Sequence, residues 1–157
     1  MNSIIIYDSA FGNTKKIADS MSEGLPGRVK LAQVGEVNSE SLKEFDLIII
    51  GSPTQGGRPT AAVSKFVREI PQQFLKDVAV AAFDTRYTER TRNIGERLLM
   101  KVTGYAADKI AKGLIDKGGR LVEDPQGFIV DSKEGPLRSA ELERAKLWAA
   151  ELQKKTR

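Results

Sequence analysis

The residues best suited to chemistry occupy positions 9–14, Ser-Ala-Phe-Gly-Asn-Thr, directly after the apolar run Ile4–Ile6. An amphipathic pattern follows, so the segment predicts a strand, a tight loop and the start of a helix. The first amides of a helix have no partner inside it, and the helix dipole adds partial positive charge there. Ser9, Asn13 and Thr14 add side-chain donors, and the loop holds no lysine. These features favour binding of a phosphomonoester over a nucleoside triphosphate, alongside the plainer role of capping the helix.

The composition excludes the catalytic mechanisms and metal sites that need cysteine or histidine, because none of the 157 residues is either of these. Thiolate nucleophiles, imidazole acid–base catalysis, Ser–His triads and Cys or His metal sites are therefore excluded. We assign no catalytic residue and no metal ligand, and we expect any reaction to come from a bound cofactor. The formal net charge is +4, but the basic residues are not interleaved with stacking aromatics, so nucleic-acid binding is not predicted.

The chain has the size and composition of one soluble domain, with 40% hydrophobic and 29% charged residues. No apolar run approaches the roughly 20 residues that a membrane-spanning helix needs. The first residues lack the basic and apolar regions of a signal peptide. We therefore expect a single domain over residues 1–157, without a membrane span and located in the cytoplasm.

Apolar runs alternate with helical patterns, which predicts an α/β fold around a parallel sheet. The expected strands cover residues 3–8, 28–34, 46–50, 78–83 and a fifth segment from 120 that breaks at 124–125 and resumes over 127–130. The expected helices follow the first loop, start near Pro59, and cover residues 105–117 and 139–154. The last of these helices is expected to bury Leu142, Ala145, Ala149 and Leu152.

Right-handed crossovers between these strands give a three-layer sandwich, a five-stranded sheet of order 2-1-3-4-5 with helices on both faces. Ligands bind such sheets beyond the carboxyl ends of the strands, where the strand order reverses. The loops expected there cover residues 9–14, 52–59 and 84–87. Residues 84–103 as a whole are expected to form a partly helical lid.

The chain resembles the flavodoxin family over essentially its whole length. Residues 9–14 are similar to the family's phosphate loop, (Ser/Thr)-x-x-Gly-Asn-Thr, and residues 51–57 and 83–87 resemble its two flavin-ring loops. The resemblance implies non-covalently bound FMN and electron transfer between redox protein partners, a reductase and an acceptor. The implied cofactor-binding residues are Ser9, Ala10, Phe11, Gly12, Asn13, Thr14, Pro53, Thr54, Gln55, Gly56, Gly57, Asp84, Thr85, Arg86 and Tyr87.

Details of the ring loops depart from the family pattern. Gln55 stands where an aromatic ring is common, and Tyr87 is the candidate to stack on the flavin instead. Gly56, with Gly57 as second candidate, is the implied position of a peptide that reorients when the flavin is reduced. Arg58 and Arg86 stand near positions where acidic residues are common, so we expect them to favour negative charge on the reduced ring.

Three functions remain open at the level of sequence. An FMN-binding electron carrier is favoured over a self-contained enzyme, namely an FMN-dependent oxidoreductase of the quinone-reducing type. A flavodoxin-fold interaction module without flavin is the third reading, which the absent loop aromatic supports. The segment 86–101 carries five basic and two acidic residues, so it is either a solvated face or a site that attracts an acidic redox partner or an anionic substrate.

Overall fold

The computed structural model of the chain describes residues 1–87, 93–95, 98 and 104–156. Its strands are β1 (Asn2–Tyr7), β2 (Arg28–Gln33), β3 (Leu47–Pro53), β4 (Ala79–Tyr87), β5 (Arg120–Leu121) and β6 (Gln126–Val130). Its α-helices are α1 (Asn13–Gly24), α2 (Ala61–Glu69), α3 (Ala106–Asp116) and α4 (Glu141–Thr156). Two 3₁₀ helices, Val34–Glu36 and Ser39–Glu44, connect β2 to β3.

The strands form a parallel sheet of order β2-β1-β3-β4-β5, which confirms the predicted order. The fifth place is shared by two segments, since β5 pairs with the start of β4 and β6 pairs with its end. The predicted break at Asp124–Pro125 lies between these two segments. Pairing β6 with Phe83–Tyr87 places the carboxyl end of β6 beside that of β4.

The central strands are buried on both faces, as their continuous apolar sequences predict. Ile4, Ile6, Ile48 and Ile50 face the layer that contains α2 and α3. The alternate residues of the same strands face the layer that contains α1 and α4. Period-two alternation therefore divides the core into two clusters, one on each side of the sheet. This arrangement confirms the predicted three layers.

Two strands extend further towards the ligand edge than the sequence indicated. β3 continues through Pro53, and β4 continues through Tyr87, although residues 52–53 and 84–87 were predicted to be loop. The reason is that Asp84–Tyr87 pair with β6, which satisfies backbone groups that a loop would leave to solvent. The predicted lid over 84–103 is therefore strand at its start, and most of its remainder lies outside the described residues.

The predicted place of Pro59 and the predicted burial of one residue in α4 also need correction. Pro59 lies outside α2, because Thr60 is the N-cap and its hydroxyl accepts a hydrogen bond from the Val63 amide at 3.4 Å. In α4, Leu142 is 45% exposed and was wrongly predicted to be buried, whereas its neighbour Glu141 is buried. The predicted burial of Ala145, Ala149 and Leu152 is confirmed.

Glu141 is buried because it connects α4 to the sheet. Its carboxylate accepts a hydrogen bond from the Ile129 amide at 2.6 Å and forms an ion pair with Arg144 at 2.7 Å. Burial acts to raise the pKa of Glu141, but the hydrogen bonds from Arg144 and Ile129 outweigh it and hold that pKa below its usual value. The contact fixes the β6–α4 connection, which borders the site described below.

A tight contact between β3 and β4 gives a test of the packing. A Cβ added at Gly51 would lie 2.0 Å from the Phe83 ring, and that ring is fully buried. We expect Gly51→Ala to lower the free energy of unfolding by about 2 kcal/mol, because the core must move to accept the methyl group. Chemical denaturation measures this change.

Gly35→Ala is the matched control, since an added Cβ there meets nothing within 4 Å. We expect its stability to change by less than about 1 kcal/mol in either direction. Equal stability of the two variants would contradict the packing described here.

Candidate functional site

A cavity of about 360 Å³ opens at the carboxyl ends of β1, β3 and β4. Its volume lies within the roughly 300–1,000 Å³ of small-molecule sites. Residues from all three predicted loops line it, together with two from the end of β6 and the connection that follows. The lining residues are Ser9, Ala10, Phe11, Asn13, Thr14, Pro53, Thr54, Gln55, Gly56, Thr85, Arg86, Tyr87, Val130 and Lys133.

The cavity does not include every residue that the resemblance implied. Gly12, Gly57 and Asp84 are not among the residues that line it. Val130 and Lys133 were missed by sequence reasoning, although the carboxyl end of the last strand had to open at the same edge of the sheet. Exposed Lys133 places a positive charge on the wall.

The start of α1 forms one end of the cavity. Gly12 is the N-cap residue with φ +91°, and no side chain caps this helix end. The first turn holds no acidic residue, while Asn13 and Thr14 are buried. By contrast, Thr60 caps α2, and the first amides of α3 donate to Thr54 Oγ1 and an Asp84 carboxylate oxygen. The first amides of α1 therefore have no side-chain cap, and the helix dipole adds partial positive charge at this end of the cavity.

Hydroxyl groups beside this helix end keep donor capacity. Ser9 Oγ accepts a hydrogen bond from the Gly12 amide at 3.0 Å, which leaves its own hydrogen to donate. Thr14 Oγ1 and Thr85 Oγ1 lie 2.9 Å apart, and only one of the two hydroxyls can donate to the other. The pair therefore connects the start of α1 to β4 and leaves one hydroxyl hydrogen for a further acceptor.

The side chain of Asn13 connects α1 to the segment after β6. Its Nδ2 donates a hydrogen bond to the Glu134 carbonyl oxygen at 3.0 Å. A Cβ at Gly135, where φ is +109°, would come within 2.9 Å of Asn13 Oδ1, so glycine is needed for this approach. Asn13 thus fixes the position of the connection that carries Lys133.

Gly56 and Gly57 form a tight, hydrogen-bonded turn. The Gln55 amide donates to the Arg58 carbonyl at 2.8 Å, and the Arg58 amide donates back at 3.1 Å. Both glycines have positive φ, 55° and 77°, as a type I′ turn requires. Lys109 Nζ donates to the Gly57 carbonyl at 2.7 Å and ties the turn to α3.

Asp84 is a fully buried carboxylate near the end of β4 that contacts Arg86 and the start of α3. Arg86 donates to it through Nε at 2.7 Å and Nη2 at 2.8 Å, and the Ala107 amide donates at 2.9 Å. Burial raises the pKa of Asp84 above its usual value, although Arg86 and the Ala107 amide act in the opposite direction. The guanidinium of Arg86 also lies over the Tyr105 ring, with Cζ 3.5 Å from the ring centroid.

The structure places the two arginines differently relative to the cavity. The charge of Arg86 is compensated by Asp84, and Arg58 is not among the residues that line the cavity. Their expected effect on the charge of a reduced ring stays a prediction.

Comparison with known proteins agrees with the fold. Residues 4–120 match the family model described as the flavodoxin domain. The chain belongs to the flavodoxin family. This membership is consistent with a flavin-binding electron carrier.

Individual flavodoxins show how far the similarity extends. Flavodoxin from Aquifex aeolicus (strain VF5) is 35% identical over 71 residues, which cover 43% of this chain and 38% of that protein. The structure of a flavodoxin from the domain Archaea matches with a TM-score of 0.78 and 22% identity, and the match covers 99% of both chains. Oxidised flavodoxin 2 from Bacillus cereus matches with a TM-score of 0.76 and 23% identity, again over 99% of each. The two structural matches support the fold alone.

Within residues 1–87, 93–95, 98 and 104–156, no helix combines the length and the apolar character needed to cross a bilayer.

The ion pair between buried Asp84 and Arg86, which lines the cavity, gives a second prediction. We expect Asp84→Asn to lower the free energy of unfolding by about 3 kcal/mol, because it leaves the mostly buried Arg86 guanidinium without its counter-charge. Asp116→Asn is the matched control, since Asp116 pairs with Lys112 at an exposed position of α3 and should change stability by less than about 1 kcal/mol. Chemical denaturation of both variants measures the difference, and similar losses would refute a special role for Asp84.

Proposed function

We propose that the cavity binds FMN non-covalently and that the protein carries electrons between redox protein partners. The single observation that carries this proposal is the start of α1, which opens into the cavity without a side-chain cap or an acidic residue in its first turn. A phosphate dianion supplies the acceptors that such a helix end needs.

The residues present fit the two chemical parts of FMN. Ser9, Thr14 and the first amides of α1 would hold the phosphate, with Lys133 adding positive charge nearby. Pro53–Gly56 and Thr85–Tyr87 would bound the ring on its two sides, where half-buried Tyr87 offers an aromatic surface. Bound FMN would supply reversible electron transfer, which no side chain of this composition provides.

The chemistry of the cavity wall favours a carrier over a self-contained enzyme. Among the described residues that line it there is no carboxylate, and the chain as a whole has no imidazole or thiol. The groups most often used for general acid–base catalysis are therefore missing from the described wall, where Tyr87 and Lys133 are the side chains that could move a proton. Electron transfer between proteins needs only that the cofactor be held near the surface, where the cavity opens.

Parallel titrations with FMN and riboflavin test the proposal, because the two ligands differ only in the phosphate. We expect FMN to bind at least about 100-fold more tightly, since charge-assisted hydrogen bonds contribute about 1.5–3 kcal/mol each. Flavin fluorescence quenching and calorimetry measure both affinities. Equal affinity for the two flavins, or no binding of either, would contradict the proposal, and the latter would favour the interaction module.

Thr14→Val examines the phosphate end within the same assay. It preserves side-chain shape but removes the hydroxyl that pairs with Thr85, so we expect about tenfold weaker FMN binding. Riboflavin affinity should not change. Thr156→Val is the control, because that hydroxyl donates to the Leu152 carbonyl at the far end of α4.

A turnover assay distinguishes the electron carrier from the self-contained enzyme. Sustained oxidation of NAD(P)H with a quinone by the FMN complex alone would favour the oxidoreductase.

A further inference from the structure

A second cavity, about 580 Å³ in volume, lies between α2 and α3 on the outer surface of the protein. Arg58, Arg68, Lys109 and Lys117 line it, whereas Asp116 is the acidic residue among the described lining. We refer to this cavity as the α2–α3 groove. Its charge is therefore strongly positive.

The positive charges of the α2–α3 groove are not neutralised by the described residues. Within residues 1–87, 93–95, 98 and 104–156, its four cations form no ion pair with a carboxylate. Lys109 and Lys117 donate to the backbone carbonyls of Gly57 and Arg68, and these bonds orient the ammonium groups but leave their charge. Asp116 is already paired with Lys112 at 3.0 Å.

The floor of the α2–α3 groove is apolar. Pro59, Val67 and Ile110 form it, and the last two continue into the core cluster beneath the sheet. At Gly113 an added Cβ would lie 2.5 Å from Val67 Cγ1, so the absence of a side chain lets the two helices approach closely. Protein interfaces combine an apolar centre with a charged rim in this way, whereas nucleic-acid sites present cations over a polar surface.

The α2–α3 groove and the cavity proposed to bind FMN lie on opposite sides of one short turn. The tight turn Gln55–Arg58 separates them, with Gln55 and Gly56 facing the cavity and Arg58 facing the groove. Lys109 lies in the groove and holds the Gly57 carbonyl of the same turn at 2.7 Å. A molecule seated in the groove therefore lies beside a wall of the site that we assign to the flavin ring.

We propose that the α2–α3 groove docks an acidic segment of a redox partner protein. The occupant is a surface helix or extended segment that places Asp and Glu side chains on the four cations and apolar residues on the floor. This inference rests on the proposed function, because it takes the partner to exchange electrons with the cofactor. Charge complementarity would speed the encounter and weaken with salt.

Fluorescence anisotropy with a labelled, end-capped peptide of glutamate and leucine tests the inference on the FMN-loaded protein. We expect binding that weakens as sodium chloride rises, and about tenfold weaker binding for the double variant Arg68→Glu/Lys117→Glu. Arg28→Glu/Lys30→Glu, on the exposed edge strand β2, changes the net charge equally and should bind the peptide as the wild type does. Equal weakening by both double variants would overturn the proposal.

Two further titrations, with FMN and with an oligonucleotide, separate the docking proposal from the proposed function and from nucleic-acid binding. FMN titration of every variant distinguishes the two proposals, because lost peptide binding with unchanged FMN affinity supports docking alone. Failure of the wild type to bind FMN overturns the proposed function, and the same peptide titration on the protein without FMN then decides whether the groove takes an acidic segment. A labelled oligothymidylate that binds through Arg68 and Lys117 more tightly than the peptide would make the groove a nucleic-acid site and overturn the docking proposal.

Discussion

The uncapped start of α1 is the constraint on which the rest of the site depends. Buried or half-buried amides must find acceptors, and α2 and α3 obtain theirs from Thr60, Thr54 and Asp84. The corresponding end of α1 has no side-chain cap. The neighbouring contacts preserve this arrangement, because Thr14 is tied to β4 and Asn13 to the segment after β6. An anion bound there would complete the hydrogen bonding of the helix.

Charge is distributed so that the cavity and the outer surface are separate electrostatic environments. Arg86 reaches the cavity but is held by buried Asp84, whereas the cations of the α2–α3 groove lack such partners among the described residues. The turn at Gly56–Gly57 lies between the two environments. Its paired hydrogen bonds and the contact with Lys109 fix it from both sides. The same short element thus forms a wall of the proposed cofactor site and the rim of the proposed docking surface.

Local sequence patterns predict most elements and the edge of the sheet where the cavity lies, but not the long-range contacts. The alternation of strands and helices with right-handed crossovers predicted the strand order, and the motif at residues 9–14 indicated the place of the cavity. The extension of β4 to Tyr87 depends on pairing with β6, which is distant in the sequence. Likewise, the sequence does not show that the Asp84 carboxylate accepts hydrogen bonds from Arg86 and from the Ala107 amide, because Ala107 is distant in the sequence. Lys133 was not predicted to line the cavity, because its position there depends on the hydrogen bond between Asn13 and the Glu134 carbonyl.

The most direct test of the central claim is to observe the backbone amides at the start of α1 during binding. Nitrogen–proton correlation spectra of the labelled protein, recorded with FMN, riboflavin and inorganic phosphate, resolve these amides individually. The account predicts large downfield proton shifts for Asn13, Thr14 and Lys15 with FMN, smaller shifts in the same direction with phosphate, and none with riboflavin. Unchanged resonances at these three residues under saturating FMN would contradict it.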